Sequence, residues 1–200
     1  MMSTAIVGTR AMAKKAQTRK RKANVLGKLP LQLLRAPLDY IVADHHRQRE
    51  LFSMCDEFAE ADDFDAKLAD TIATFLETEM ELHVIDEEED LFPILRRRLL
   101  PEDDVERILG LLSGEHAADE ALAGEIITAM REGIGASCAT VATALRNALL
   151  TFADRQRRHL AVENAIVIPL AATRLSKKDI IDLGRRMAVR RGVRQAQDEE

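Results

Sequence analysis

Tryptophan is absent, and the chain holds one tyrosine, two cysteines, five prolines and nine glycines among 200 residues. So little aromatic, Gly and Pro content, set against plentiful Ala, Leu, Glu and Arg, is the composition of an all-helical protein. Cys55 and Cys138 make no Cys-x-x-Cys pair, which excludes a disulfide framework and a thiolate metal site. Both are expected as small buried hydrophobes, and a reducing, cytoplasmic setting goes with such usage. No stretch approaches the roughly 18 apolar residues of a membrane-spanning helix, and Thr4-Ala5-Ile6-Val7-Gly8 is too short for a signal-peptide core. Acidic residues are missing from positions 1–38, which carry nine Lys or Arg.

Removing those nine from the total of 29 leaves 20 bases against 34 acids, a net charge of −14 over residues 39–200. Residues 1–35 therefore read as a flexible basic arm. Within 10–28, Lys14-Lys15 and Arg19-Lys20-Arg21-Lys22 have the charge to meet nucleic acid, an anionic surface or the acidic body itself. A solvated tail is the plainer expectation. The length allows one domain with a real core.

What is present is a repeated device. His83-Val84-Ile85-Asp86-Glu87 leads to Pro93, and His159-Leu160-Ala161-Val162-Glu163 leads to Pro169. Each copy sets a Glu four residues after a His and a Pro six residues after the Glu. Positions i and i+4 share a helix face, so each copy aims an imidazole and a carboxylate at one neighbour, and the Pro bends or loosens the helix beyond.

Apolar periodicity places helices at about 37–60, 65–98, 102–131 and 137–172. The second carries Leu68, Ile72, Leu76, Met80, His83, Glu87, Leu91 and Ile94 on one stripe. A carboxylate there is costly without a positive partner, and no Lys or Arg shares the stripe. The third stripe reads Leu109, Leu112, His116, Glu120, Ala123, Ile127; the fourth includes Phe152, His159, Glu163 and Ile166. On the first, the stripe passes through His45, and His46 is rotated about 100° away. Gly133 and Gly135 are expected to end the third helix, and Ser176-Lys177-Lys178-Asp179 to begin a short one to about residue 190. The domains are thus an arm at 1–35, a bundle at 36–172, and a capping helix with a polar, frayed tail at 173–200.

Short loops favour an up-down-up-down antiparallel four-helix bundle. Counted from the intervening turns, His45, His83 and His116 share a level to within about 6 Å. The third joint fits less well: His116 lies 17 residues before Gly133 and His159 lies 26 after it. Four imidazoles and two acids on buried stripes, without Cys, make a nitrogen and oxygen site suited to iron, with manganese or zinc as alternatives. Two helices each giving a carboxylate four residues from a His favour two ions sharing both Glu. Glu120, His46 and Glu79 are further candidates, as additional ligands or as acceptors for a ligating imidazole. Glu88, Glu89 and Asp90 are expected on a solvated face.

The order His45, His83-x-x-x-Glu87, His116, His159-x-x-x-Glu163 resembles the hemerythrin-like (HHE) cation-binding family, four-His/two-Glu di-iron type, across about 36–172. The resemblance implies His45, His83, Glu87, His116, His159 and Glu163 as ligands of two iron ions. The third helix lacks the His-x-x-x-His of oxygen-carrying relatives, and the fourth uses Glu where they use Asp. The implied function is sensing, scavenging or storing dioxygen, nitric oxide or iron, with a small diatomic molecule or peroxide as partner. The alternatives are a di-iron enzyme acting on peroxide or nitric oxide, repair of iron–sulfur clusters under oxidative or nitrosative stress, and a zinc-stapled interaction bundle. The repair proteins' N-terminal Cys pair is missing here.

Overall fold

The computed structural model describes residues 26–193. Residues 1–25, most of the basic arm, and residues 194–200 of the polar tail lie outside the described residues. Four long helices form the body: α1 (Pro37–Glu60), α2 (66–96), α3 (Glu106–Gly135) and α4 (143–174), followed by α5 (Lys177–Arg190). Pro37 starts α1 where its missing N–H costs nothing. Asp65 caps α2 by accepting from the Lys67 and Leu68 N–H groups. Ser176 and Asp179 cap α5 reciprocally.

Consecutive helices pack side by side and α4 returns against α1, closing an up-down-up-down bundle. Two apolar clusters fill it. One gathers Phe52, Phe58, Ile72, Phe75, Met130, Leu149 and Phe152. The other gathers Ile41, Leu91, Phe92, Leu95, Leu109 and Leu112 with Leu183 and Met187 of α5. Each fully buried Phe or Leu contributes about 1.5–3 kcal/mol.

Several sequence expectations change. α3 runs through Gly133 and ends at Gly135. Gly133 is small because the Phe64 ring lies against it; a Cβ there would stand 2.6 Å from the ring. Pro101–Asp103 forms a separate 3₁₀ turn, and Asp104 takes a left-handed conformation before α3 begins. Residues 136–142 are not helix. They run beside 61–65, with Phe64 N–H donating to Ala139 O at 3.0 Å and an isolated bridge between Asp63 and Thr140. That delays α4 to Thr143 and removes the poor register of the third joint. Cys55 is buried, but Cys138 sits exposed in this connection, because its segment is loop, from which Val141 and not Cys138 reaches the core.

The chain entering the bundle is anchored. Leu26 and Leu34 are buried, and a 3₁₀ turn at Leu31–Arg35 packs against α5. Gly184 allows that contact, since a Cβ would overlap the Leu34 carbonyl. Nor is the start of the tail frayed. Arg191 donates to Asp86 at 2.6 Å and to the Tyr40 hydroxyl at 2.9 Å, and Arg190 pairs with Asp86 and Asp90. Among the described residues no helix is long and apolar enough to cross a membrane.

Candidate metal centre

A polar layer lies between the two apolar clusters. His45 on α1, His83 and Glu87 on α2, His116 on α3, and His159 and Glu163 on α4 all project inward and are at most 5% exposed. The helices place them by simple periodicity, with local departures. α2 has a π-turn at Leu76–Met80 that no proline follows closely, and two more lie at the carboxylates. The α2 and α4 helices carry π-turns at Asp86–Leu91 and Glu163–Val167. In each, the Glu carbonyl accepts from the N–H five residues on, Phe92 for Glu87 and Ile168 for Glu163. Pro93 and Pro169 come next. A proline lacks the N–H for the α-helical ladder and crowds the carbonyl four residues back, and the extra residue of a π-turn relieves that crowding. Neither helix breaks.

The side chains meet in two overlapping groups. His45, His83, Glu87 and Glu163 each offer a ligand atom within 4.8 Å of one another, and so do Glu87, His116, His159 and Glu163. Glu87 and Glu163 belong to both. His45 Nε2 lies 3.7 Å from Glu87 Oε1 and 3.4 Å from Glu163 Oε2. Glu87 Oε2 is 3.4 Å from Nε2 of both His83 and His116. His159 Nε2 is 2.8 Å from Glu163 Oε1, and His116 Nε2 is 4.0 Å from it.

Most of these separations are too long for hydrogen bonds. They match two ligands that each stand about 2.1 Å from a common ion, which puts them roughly 3–3.5 Å apart. Both oxygens of Glu87, Glu163 Oε2 and His45 Nε2 are buried without a hydrogen-bond partner. Such orphaned buried atoms are expensive, and cations satisfy them. The donor set of imidazole nitrogen and carboxylate oxygen fits iron, manganese or zinc.

Without a cation, protons take its place. Burial alone would raise the Glu87 pKa, but His83, His116 and His45 hold it well below the usual carboxylate range. Burial depresses the His83 pKa, yet Glu87 and Asp44 lift it to about 10. For His159 burial is outweighed by Glu163 and Glu115, giving about 9. His116 moves up as well, burial being overcome by Glu87 and Glu88.

Three acids absent from the proposed ligand set stand behind the imidazoles. His116 Nδ1 lies 2.6 Å from Glu88, His159 Nδ1 lies 2.8 Å from Glu115, and His83 Nδ1 lies 3.3 Å from Asp44. A sequence signal for them exists: each is the chain neighbour of an inward residue, as Asp44-His45, Glu87-Glu88 and Glu115-His116 show. A 100° step turns such an acid toward the next helix. Glu88 is therefore not on a solvated face, nor is buried Asp90, which pairs with Arg186 and Arg190. Of that trio only Glu89 is exposed.

Of the three further candidates, none joins the cluster. Glu120 is exposed, and the buried position is Asp119, which accepts from Gln156 Nε2 at 2.9 Å. The stripe steps three residues from His116, not four, because 3.6 residues complete a turn. His46 is exposed, with Nδ1 3.5 Å from Arg49. Glu79 accepts from Arg47 at 2.9 Å, and Arg47 in turn donates to Asp44 at 2.6 Å, so Glu79 lies two side chains behind His83.

Between α2 and α3 a largely apolar groove of about 520 Å³ runs past Met80, Val84, Ile85, Ile127 and Phe152 to the His116 ring. The helices touch near residues 66–75 and separate toward the polar layer.

Comparison with protein families matches residues 36–171, more than half of the chain, to the hemerythrin HHE cation binding domain. No curated protein sequence matches the chain.

Proposed function

The chain belongs to the hemerythrin HHE cation-binding family, and on that premise we propose that it holds two iron ions and senses, scavenges or stores dioxygen, nitric oxide or iron. His45 and His83 would hold one ion, His116 and His159 the other, and Glu87 and Glu163 both. One observation carries this reading: two four-residue groups that share the same two buried carboxylates. Bound iron would supply reversible one-electron chemistry and coordination positions for a small ligand. The protein's own part is to hold the imidazoles in one orientation, through Asp44, Glu88 and Glu115, and to keep bulk water out with the apolar clusters on either side.

Elemental analysis of the native protein, with anaerobic addition of dioxygen or nitric oxide, tests it. The expected result is two irons per chain and a change in visible absorption that saturates at a fixed ratio of ligand to protein. The second reading, a di-iron enzyme acting on peroxide or nitric oxide, draws on the groove that leads to His116. Many turnovers of peroxide or nitric oxide per iron would favour it over binding.

A further inference from the structure

An imidazole that binds metal through Nε2 is oriented and made more basic by whatever its Nδ1–H donates to. Along the bundle those acceptors follow a rule. The residue beside an inward ligand on one helix serves the histidine of the next: Asp44 serves His83, Glu88 serves His116, Glu115 serves His159. The series stops at α4. Glu163 is flanked by Val162, which has no side-chain acceptor, and by Asn164, whose amide donates to Leu160 O at 2.6 Å. Among the described residues nothing accepts from His45 Nδ1, although His45 is fully buried. Gln48, one turn on, leaves its own Oε1 unpaired as well.

The remaining contacts sharpen the difference. Asp44 is buried, which strengthens its field, but it is shared: Arg47 holds one oxygen at 2.6 Å, and Gln48 and His83 contact the other at 3.3 Å each. Glu88 takes His116 at 2.6 Å and the Ser113 hydroxyl at 2.9 Å. Glu115 is half exposed, yet its contact with His159 is short at 2.8 Å. One pair of histidines thus has two close carboxylate acceptors; the other has one long, divided contact and one nitrogen with none.

We infer that the two metal positions are unequal: the position between His116 and His159 takes its ion first and holds it more tightly than the position between His45 and His83. Glu88 and Glu115 are positioning residues for the tight ion, and the His45 side is the exchangeable one. The inference rests on the metal-binding reading above.

The test is an anaerobic titration of the metal-free full-length chain with Fe(II), and separately with Co(II), against a competing chelator, with ions per chain counted by elemental analysis. The expected result is two ions with dissociation constants at least about 10-fold apart. His83→Ala should keep one tight ion, and His159→Ala should lose it. Glu88→Gln and Glu115→Gln should each weaken the tight ion by about 10–100-fold, with far-UV circular dichroism showing an intact bundle. Two ions leaving in a single chelation step would overturn the inequality, as would a tight ion kept by His159→Ala and lost by His83→Ala. A chain that binds neither ion would overturn the metal reading itself.

Discussion

His159 Nε2 and Glu163 Oε1, one turn apart on α4, lie 2.8 Å from each other, whereas the matching pair on α2, His83 and Glu87, stands 3.4 Å apart. The two copies of one sequence device therefore close differently around the same layer. In both, a proton on the imidazole offsets the buried carboxylate, and metal must displace it.

Stability of the metal-free protein should fall as pH rises toward 10. The His83 and His159 pKa values are raised to about 10 and about 9, above the roughly 6.5 of an unfolded chain. A raised pKa gives stability that is complete below the unfolded value and lost as pH climbs through the folded one. The depressed Glu87 pKa acts oppositely, its contribution fading as pH falls through the folded value. Urea unfolding of the metal-free chain from pH 4 to 10 checks this; unchanged stability between pH 7 and 10 would refute it. Metal uptake near neutrality should also release protons.

His45→Ala should lower the content to one ion per chain and His46→Ala should leave it unchanged. His45 is buried among the carboxylates, while His46 faces solvent. Glu120→Ala should leave metal content unaltered, since that side chain is exposed. Ions per chain decide all three.

Two glycines should respond in opposite directions. Gly114 lies inside α3 with open space where a Cβ would go, so Gly114→Ala should stabilise by about 0.5–1 kcal/mol. Gly184→Ala would press a methyl into the Leu34 carbonyl and should destabilise by about 1–3 kcal/mol. Chemical denaturation reads both.

The α5 latch should matter through Asp86. Its carboxylate is 1% exposed; burial raises its pKa more than Arg191 and Arg190 lower it. Replacing both arginines by Ala leaves a buried charge uncompensated, at a cost of about 3–5 kcal/mol. Adding Asp86→Asn should recover part of that loss. No recovery would mean that the arginines act by packing or through Asp90, not through Asp86.

Much of this was legible from residue order. The second-helix stripe from Leu68 to Ile94 is buried throughout, and the first helix spans the expected residues, because a strong 3.6 period needs no tertiary context. The Glu120 register failed where the stripe drifted by a residue along a 30-residue helix. Asp44, Glu88 and Glu115 were missed because each acts on a neighbouring helix, and only the packing says which neighbour. The π-turns before Pro93 and Pro169 answer a clash between a proline and a carbonyl that sequence shows only as a Pro; the one at Leu76–Met80 has no such explanation. The 136–142 connection takes its shape from pairing with 61–65, a contact between distant parts of the chain.

Metal content of the native chain beside Glu87→Ala and Glu163→Ala is the most direct measurement. Two ions per chain, falling to one or none in each folded variant, is the expected result. Full metal content in both variants would contradict a pair of ions held jointly by these carboxylates.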